Sequence, residues 1–567
     1  MKKSRSQTIA CDALIVGAGM AGLFVAWRAL NNDPNLEVTI VDKLGRTGGR
    51  LETTTVPIKG KDGQVYEVRD EEGGMRFVPK GTGMENLWKL IDDLGLNTVP
   101  FPMADENNRY YFRGESFTLG ESEANSNAKW STLYNLSEKE QNIKPIEILA
   151  KVMQDILDKN PGGHLALKWP HSPETWIEFR NTFSYPDANG NPVPMNQWGL
   201  WSLLHAYGLT EESIELLDHV IGFMGPFGQF INAGESLQII FDFPAAAHFF
   251  ALENGYESLP DALTSAILNK ENYPSARIIL KEEISSIENE GDGTTVYGTK
   301  NTYSAGKVIL AVPQTGLEQI TRASPLLSDN VGFVRAMNSV QNMELSKVGL
   351  YFDERWWHSH PDINISSGPS FTDLPLGSVY CFAQFPAHPE RDKTYNGPAA
   401  LTLYTDFIRG NFWKEMQNNG PMYHTQQFPN NPEGTFPATV NLVEEVMKQI
   451  KMVYGLDPDD SSIPMPVLST YRVWGQGEFG YGYHQFKLNE VDAEVYAQIT
   501  WPAKNVFVCN EAWSPEQGWV EGSLIMGDLV SRLAFDLSSF TQDSGLSGIP
   551  METIKAPKNT KEANMGS

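Results

Sequence analysis

The clearest chemistry in this chain begins with glycine. Gly17-Ala18-Gly19-Met20-Ala21-Gly22 follows an apolar run at residues 13–16 and opens a helical stretch at residues 23–30. In a strand–turn–helix setting, Gly17 permits the tight turn, Gly19 lets a pyrophosphate approach the backbone, and Gly22 allows close packing of helix on sheet. The start of the helix, at Met20 and Ala21, then offers unpaired N–H groups to the phosphates. Asp42 ends the next apolar run, 20 residues beyond Gly22. A carboxylate placed there accepts from ribose hydroxyls, and Lys43 follows it into the same site. A glycine motif alone is weak; strand, helix and acid together make a dinucleotide signature. It does not choose between FAD and NAD.

Two other charged residues could do chemistry. Lys347 lies inside the apolar run of residues 345–352, LSKVGLYF, with Trp356 and Trp357 just beyond. A lysine facing the core needs a partner, although strand alternation would equally point it outward. Arg76 follows Gly73, Gly74 and Met75, and its planar fork matches a carboxylate. The three cysteines, Cys11, Cys381 and Cys509, share no CxxC spacing. Neither a disulfide framework nor a metal site is expected.

The elements that must hold these residues recur along the chain. Strand-like runs at residues 277–280, 307–312 and 505–509 and a helix at 522–537 resemble the first block, whereas residues 145–265 carry helical periodicity and 340–405 alternate as in an antiparallel sheet. Residues 104–145 read as a polar, loop-rich excursion. The expected fold class is mixed α/β. A discontinuous nucleotide-binding domain takes residues 8–80, 251–330 and 495–540; a β-sheet substrate domain takes 81–130 and 331–494; a helical domain takes 131–250; 541–567 form a frayed tail. The 567 residues are 41% hydrophobic, enough for a large core, and 44 basic against 70 acidic residues give a net charge of −26. That surface repels phosphate backbones and anionic lipid, so no nucleic-acid or membrane partner is expected. With no signal peptide and no apolar run of transmembrane length, a soluble, cytoplasmic protein is the default expectation.

The segments DKLGRTGGR (residues 42–50) and VFVCNEAW…GWVEGS (506–523) resemble the two FAD motifs of the flavin-containing amine oxidase family. The resemblance implies a Rossmann-like FAD domain, with Gly49 and Arg50 near the pyrophosphate and Glu511 near the ribityl or phosphate region. Val520 and Ser523 begin a helix aimed at the flavin, Trp474 belongs to a spaced W…G pattern, and Ile284 covers the adenine. Asn510 departs from the family's usual glycine. Gly73, Gly74, Met75 and Arg76 are similar to the L-amino acid oxidases and related 2-monooxygenases, in which this arginine pairs with the substrate carboxylate. TDLPLGSVYC (residues 372–381) is similar to the stretch carrying a second carboxylate ligand, here Tyr380. Lys347 corresponds to a lysine bridged through water to flavin N5. Relatives that attach flavin covalently use a cysteine in a glycine-rich stretch; residues 479–483, FGYGY, have none, so non-covalent FAD is implied.

The implied reaction is oxidative deamination of an L-amino acid by O₂, giving the 2-oxo acid, ammonia and H₂O₂, with hydride passing from Cα–H to N5. Arg76 and Tyr380 hold the carboxylate, the Gly518 carbonyl accepts from the amino group, and Trp519 forms an aromatic wall. The alternatives are an L-amino-acid 2-monooxygenase, which yields the amide, and a non-catalytic flavoprotein serving partner binding. A homodimer is expected. For the side-chain pocket, the phenylalanines at 223, 227, 230, 241, 243, 249 and 250 suggest large apolar substrates, whereas Glu235 or Asp242 would suit basic ones.

Overall fold

The computed structural model describes residues 7–124, 128–167, 171–242, 248–290, 293–381, 395–424, 433–477, 479–542 and 554–555. Its first strand, Gln7–Val16, begins well before the buried apolar run. Residues 7–11 pair with 301–305, while 13–16 run between 38–41 and 307–310. Arg277–Ile279 joins beyond Val38–Val41, and Val506–Val508 joins beyond Asn301–Leu310, all in parallel. Parallel strands are covered on both faces, and Val38–Val41 is accordingly buried at every position. Two antiparallel strands, Ile284–Glu290 and Gly293–Gly298, complete a seven-stranded sheet. Helices Met20–Asn32 and Val520–Phe535 pack together over it. Gly527 makes that contact close, since a side chain there would press on the Phe24 ring.

A second sheet of eight strands runs in the order Thr435–Pro437, Leu468–Trp474, Leu345–Phe352, Ala399–Asp406, Ser378–Tyr380, Pro369–Thr372, Arg109–Phe112 and Glu115–Thr118. One pairing, between Pro369–Thr372 and Arg109–Phe112, is parallel. The last two strands correct the loop-rich reading of residues 104–145. They form a tight hairpin whose turn residues Arg113 and Gly114 both have positive φ, 51° and 88°. That is the type I′ geometry, which matches strand twist. The arginine disguises it, because such turns normally carry Asn-Gly. The hairpin's Tyr110, Phe112 and Phe117 pack around Trp130.

The helical layer comprises Pro145–Lys159, Pro173–Thr182, Leu200–Tyr207, Glu211–Ile221 and Ala233–Phe241. Side chains of Ser172, Thr210 and Asn232 cap three of the starts, and left-handed glycines Gly208 and Gly222 close two of the ends. Trp176, Phe179, Leu203, Leu204 and Leu217 fill the core between them. The mixed α/β class read from the sequence is the one observed.

Arg180, fully buried, ties this layer to the rest of the chain. Its guanidinium lies 2.7 Å from Asp492 and 3.3 Å from Glu235. Removing one partner of such a pair leaves uncompensated buried charge. Asp492→Ala should therefore lower unfolding stability by roughly 3–5 kcal/mol in denaturant titrations followed by tryptophan fluorescence. A change below about 1 kcal/mol would show that the pair does not anchor the layer.

Candidate functional site

One long cavity follows the carboxyl ends of the parallel strands and continues under the eight-stranded sheet. Its first half is lined by Gly17, Gly19, Met20 and Ala21, by Asp42, Lys43, Gly49 and Arg50, and by Ile284. Gly22 lies behind the turn, where a side chain would collide with the Gly17 carbonyl. Gly17 itself has φ 108°, and a side chain there would collide with the Ala311 carbonyl. Gly19 and Gly49 face each other across the mouth of the turn, with 3.8 Å from a Cβ built on Gly19 to the Gly49 Cα. Helices Met20–Asn32 and Val520–Phe535 both start without a side-chain cap, so their first amides remain available to an anion. Val520 and Ser523, in the first turn of the second helix, also line the cavity. These features fit an elongated, phosphate-bearing cofactor.

The acids in this half are already engaged. Asp42 accepts from the Ala18 amide at 2.7 Å and the Leu44 amide at 2.8 Å, which fixes the glycine turn. Burial raises its pKa. Glu511 accepts from Arg50 at 2.6 Å, from the His484 ring and amide at 2.9 and 3.1 Å, and from the Gly518 amide at 2.8 Å. Burial pushes this carboxyl up, but Arg50 and His484 outweigh it and hold it at about 2. Glu511 is thus a permanent anion that fixes Arg50 on one side and the Gly518 turn on the other.

The second half of the cavity is lined by Gly73, Gly74, Met75, Arg76, Lys347, Trp474, Gly518 and Trp519. Strand Leu345–Phe352 is buried at all eight positions, so alternation does not send Lys347 to solvent. Its ammonium donates to the Glu71 and Gly73 carbonyls, each at 2.6 Å, and holds the Gly73-Gly74 turn. Trp474 Nε1 donates to the Glu72 carbonyl at 2.6 Å. Asp70, Glu71 and Glu72 are buried around the lysine. Burial lowers Lys347 to about 8, against the pull of those three carboxylates. Burial also raises Asp70 to about 6 and Glu71 and Glu72 to about 8.

Arg76 is buried with its guanidinium carbon 5.1 Å from the Phe249 ring, 5.9 Å from Phe101 and 5.8 Å from Tyr380. Phe249 in turn stacks on Trp519 at 6.4 Å. Tyr380 is fully buried and hydrogen-bonds Arg76. Phe223, one of the phenylalanines read as a side-chain pocket, lies on the wall, and Tyr404, Tyr483, Pro226 and Ile239, not singled out in the sequence, complete it. Of the remaining phenylalanines, Phe227 and Phe241 belong to the helical core, Phe230 stacks on Phe407, and Phe250 meets Trp88. Phe243 lies outside the described residues. Glu235 is held by Arg180 and Asp242 accepts from Trp176 Nε1 at 2.8 Å; neither lines the cavity.

The family model for flavin-containing amine oxidoreductases matches residues 20–420, and the chain belongs to that family. It is 22% identical to L-amino-acid oxidase 4 of Hebeloma cylindrosporum, over 97% of this chain and 86% of the relative. It is 26% identical to achacin of Lissachatina fulica, over 82% of each chain. Its fold is that of putrescine oxidase bound to putrescine, with a TM-score of 0.62 and 17% identity over 93% of this chain and 99% of that one. Among the described residues, no helix is long and apolar enough to cross a membrane and no side-chain cluster could hold a metal ion.

The acids around Lys347 make stability depend on pH in a defined direction. Glu71 and Glu72 have folded values of about 8, above an unfolded 4.5. The folded state therefore binds the extra protons, and their contribution is complete below pH 4.5 and lost as pH rises through about 8. Denaturant midpoints should fall between pH 5 and pH 8, and Glu72→Gln should flatten that slope. Parallel profiles for the two proteins would show that Glu72 is ionised throughout.

Proposed function

We propose that the protein binds FAD non-covalently and oxidises L-amino acids to 2-oxo acids, ammonia and H₂O₂. The observation that carries the substrate class is Arg76. It is a buried guanidinium on the cavity wall, framed by the rings of Phe101, Phe249 and Tyr380. A simple amine offers such a group no counter-charge, whereas an α-carboxylate fits its fork. The relative named L-amino-acid oxidase 4 supports the same reading.

FAD suits the first half of the cavity. The open helix start at Met20 and the glycines at 17, 19 and 49 would take the pyrophosphate, and Lys43 and Asp42 border the ribose end. The start of helix Val520–Phe535 would face the flavin end, where its dipole favours negative charge. The three cysteines are buried and none lines the cavity, which supports non-covalent binding. When bound, the flavin supplies the two-electron acceptor and passes the electrons to O₂.

The chain's own residues supply binding and orientation. Arg76 neutralises the carboxylate and fixes Cα in one place. The Gly518 carbonyl, on a turn pinned by Glu511, accepts from the amino group. Trp519, stacked on Phe249, forms an aromatic wall of the site. Lys347 keeps a positive charge beside the Gly73-Gly74 turn, where oxygen reduction needs one. With Phe223, Pro226, Ile239 and Tyr483 on the remaining wall, apolar side chains are favoured over basic ones.

Arg76→Ala should cost roughly 2–5 kcal/mol in kcat/KM for the best amino acid, with Arg76→Lys restoring only part. Retention of near wild-type kcat/KM by the alanine variant would remove Arg76 from the carboxylate site. Acid precipitation should leave yellow FAD in the supernatant. Colour that stays in the pellet would demonstrate a covalent bond.

A further inference from the structure

A turn of the helical layer reaches the cavity, and the end of one strand of the eight-stranded sheet holds it there. Gly222 closes helix Glu211–Ile221 with a φ of 78°, and Asn232 caps helix Ala233–Phe241. Between them, Phe223 and Pro226 line the cavity. The Phe223 ring packs edge-on at 5.2 Å against Tyr404, on strand Ala399–Asp406. Asp406, two residues on, rises from the same face of that strand and is fully buried. Its two carboxylate oxygens accept from the Met224 amide at 3.2 Å and the Gly225 amide at 2.9 Å. The turn has no slack. A Cβ on Gly225 would lie 2.7 Å from the Tyr483 hydroxyl and 2.8 Å from the Met343 methyl.

The next residue sits in a costly conformation. Phe407 has a φ of 51°, in the left-handed region where a bulky side chain is an outlier. Its ring stacks at 5.4 Å on Phe230, at the far end of the same turn segment. Strain of this kind persists where the surroundings over-determine it, and it gathers at sites of function. Resting on the amino-acid reading above, we infer that Asp406 and Phe407 are positioning residues that clamp residues 223–230 against the cavity, so that the clamp sets which side-chain sizes are accepted. A carboxylate suits this role because it accepts from two amides at once. A carboxamide accepts from only one and turns its own N–H groups on the other. Arg76 and the Gly518 turn belong to other segments, so a shift of the clamped turn leaves the substrate's charged groups in place and alters only the side-chain end.

The test measures kcat and KM of the holoenzyme for L-alanine, L-leucine and L-phenylalanine in Asp406→Asn and in Phe407→Gly. Glycine is the residue that a left-handed backbone accepts most readily, so the second variant removes the ring stack while relieving the strain. Each variant should raise KM for L-phenylalanine about tenfold, change KM for L-alanine less than about threefold, and leave kcat within about threefold. Phe223→Ala tests the coupling. Adding Asp406→Asn to it should raise KM for L-phenylalanine less than about threefold further, because the wall that the clamp holds is already gone. Equal losses on all three amino acids, or losses that multiply in the double variant, would show a merely structural role and overturn the inference. A wild-type preference for phenethylamine, which lacks only the carboxylate, over L-phenylalanine would instead overturn the amino-acid reading, and this inference with it.

Discussion

Lys347 is buried among carboxylates because the chain closes one sheet against another at that point. Asp70, Glu71 and Glu72 leave the strand Val65–Glu71, and the lysine's two hydrogen bonds to the Glu71 and Gly73 carbonyls decide how the following glycines turn. Nearby, Glu52 lies 2.6 Å from Arg46 and 3.0 Å from Arg472, and accepts from the Thr435 hydroxyl at 2.7 Å. Buried charges of this kind add little net stability compared with an apolar core. They do fix geometry, because every alternative arrangement strands an ion in a low dielectric. The Gly73-Gly74 turn, Arg76 beyond it and the tryptophan at 474 are all placed by this cluster.

A second fixed charge works in the same way at the Gly518 turn. Glu511 collects donors from Arg50, His484 and Gly518, three segments far apart in sequence. The two clusters border one cavity, one at the Gly73-Gly74 turn and the other at the Gly518 turn. Neither acts on the substrate directly. What they supply is preorganisation: polar groups oriented before any ligand arrives, so that little rearrangement is needed when it does.

Much of this was legible in the sequence, for physical reasons. The glycine turn can be read because Gly17 and Gly22 leave no room for a side chain, and sterics of that kind are local. Lys347 could be singled out because a charge inside an apolar strand is costly, and Arg76 because the segment around Gly73 and Gly74 resembles that of the L-amino acid oxidases. Tyr404 could not be found, since a tyrosine in an apolar strand looks like core, and only the cross-strand register with Lys347 brings it to the cavity. Asp70 and Glu71 belong to an acidic run that composition alone assigns to a solvated surface. The hairpin at Arg113-Gly114 was lost because arginine seldom occupies a position with positive φ.

The strand Val506–Val508 carries a consequence for biosynthesis. It supplies the neighbour of residues 308–310, and the turn and helix after it furnish Glu511, Gly518 and the amides at Val520. A ribosome therefore has to make most of the polypeptide before the first sheet can close. Until then a fully buried apolar edge stands open on the nascent chain, and an unpaired edge of that type invites wrong partners. Cofactor capture must come late, after the C-terminal helix has docked on Met20–Asn32. The bound cofactor would then act as a latch on a topology dominated by contacts distant in sequence, which fold slowly. Expression yield should consequently respond to flavin supply more than to changes in the helical layer.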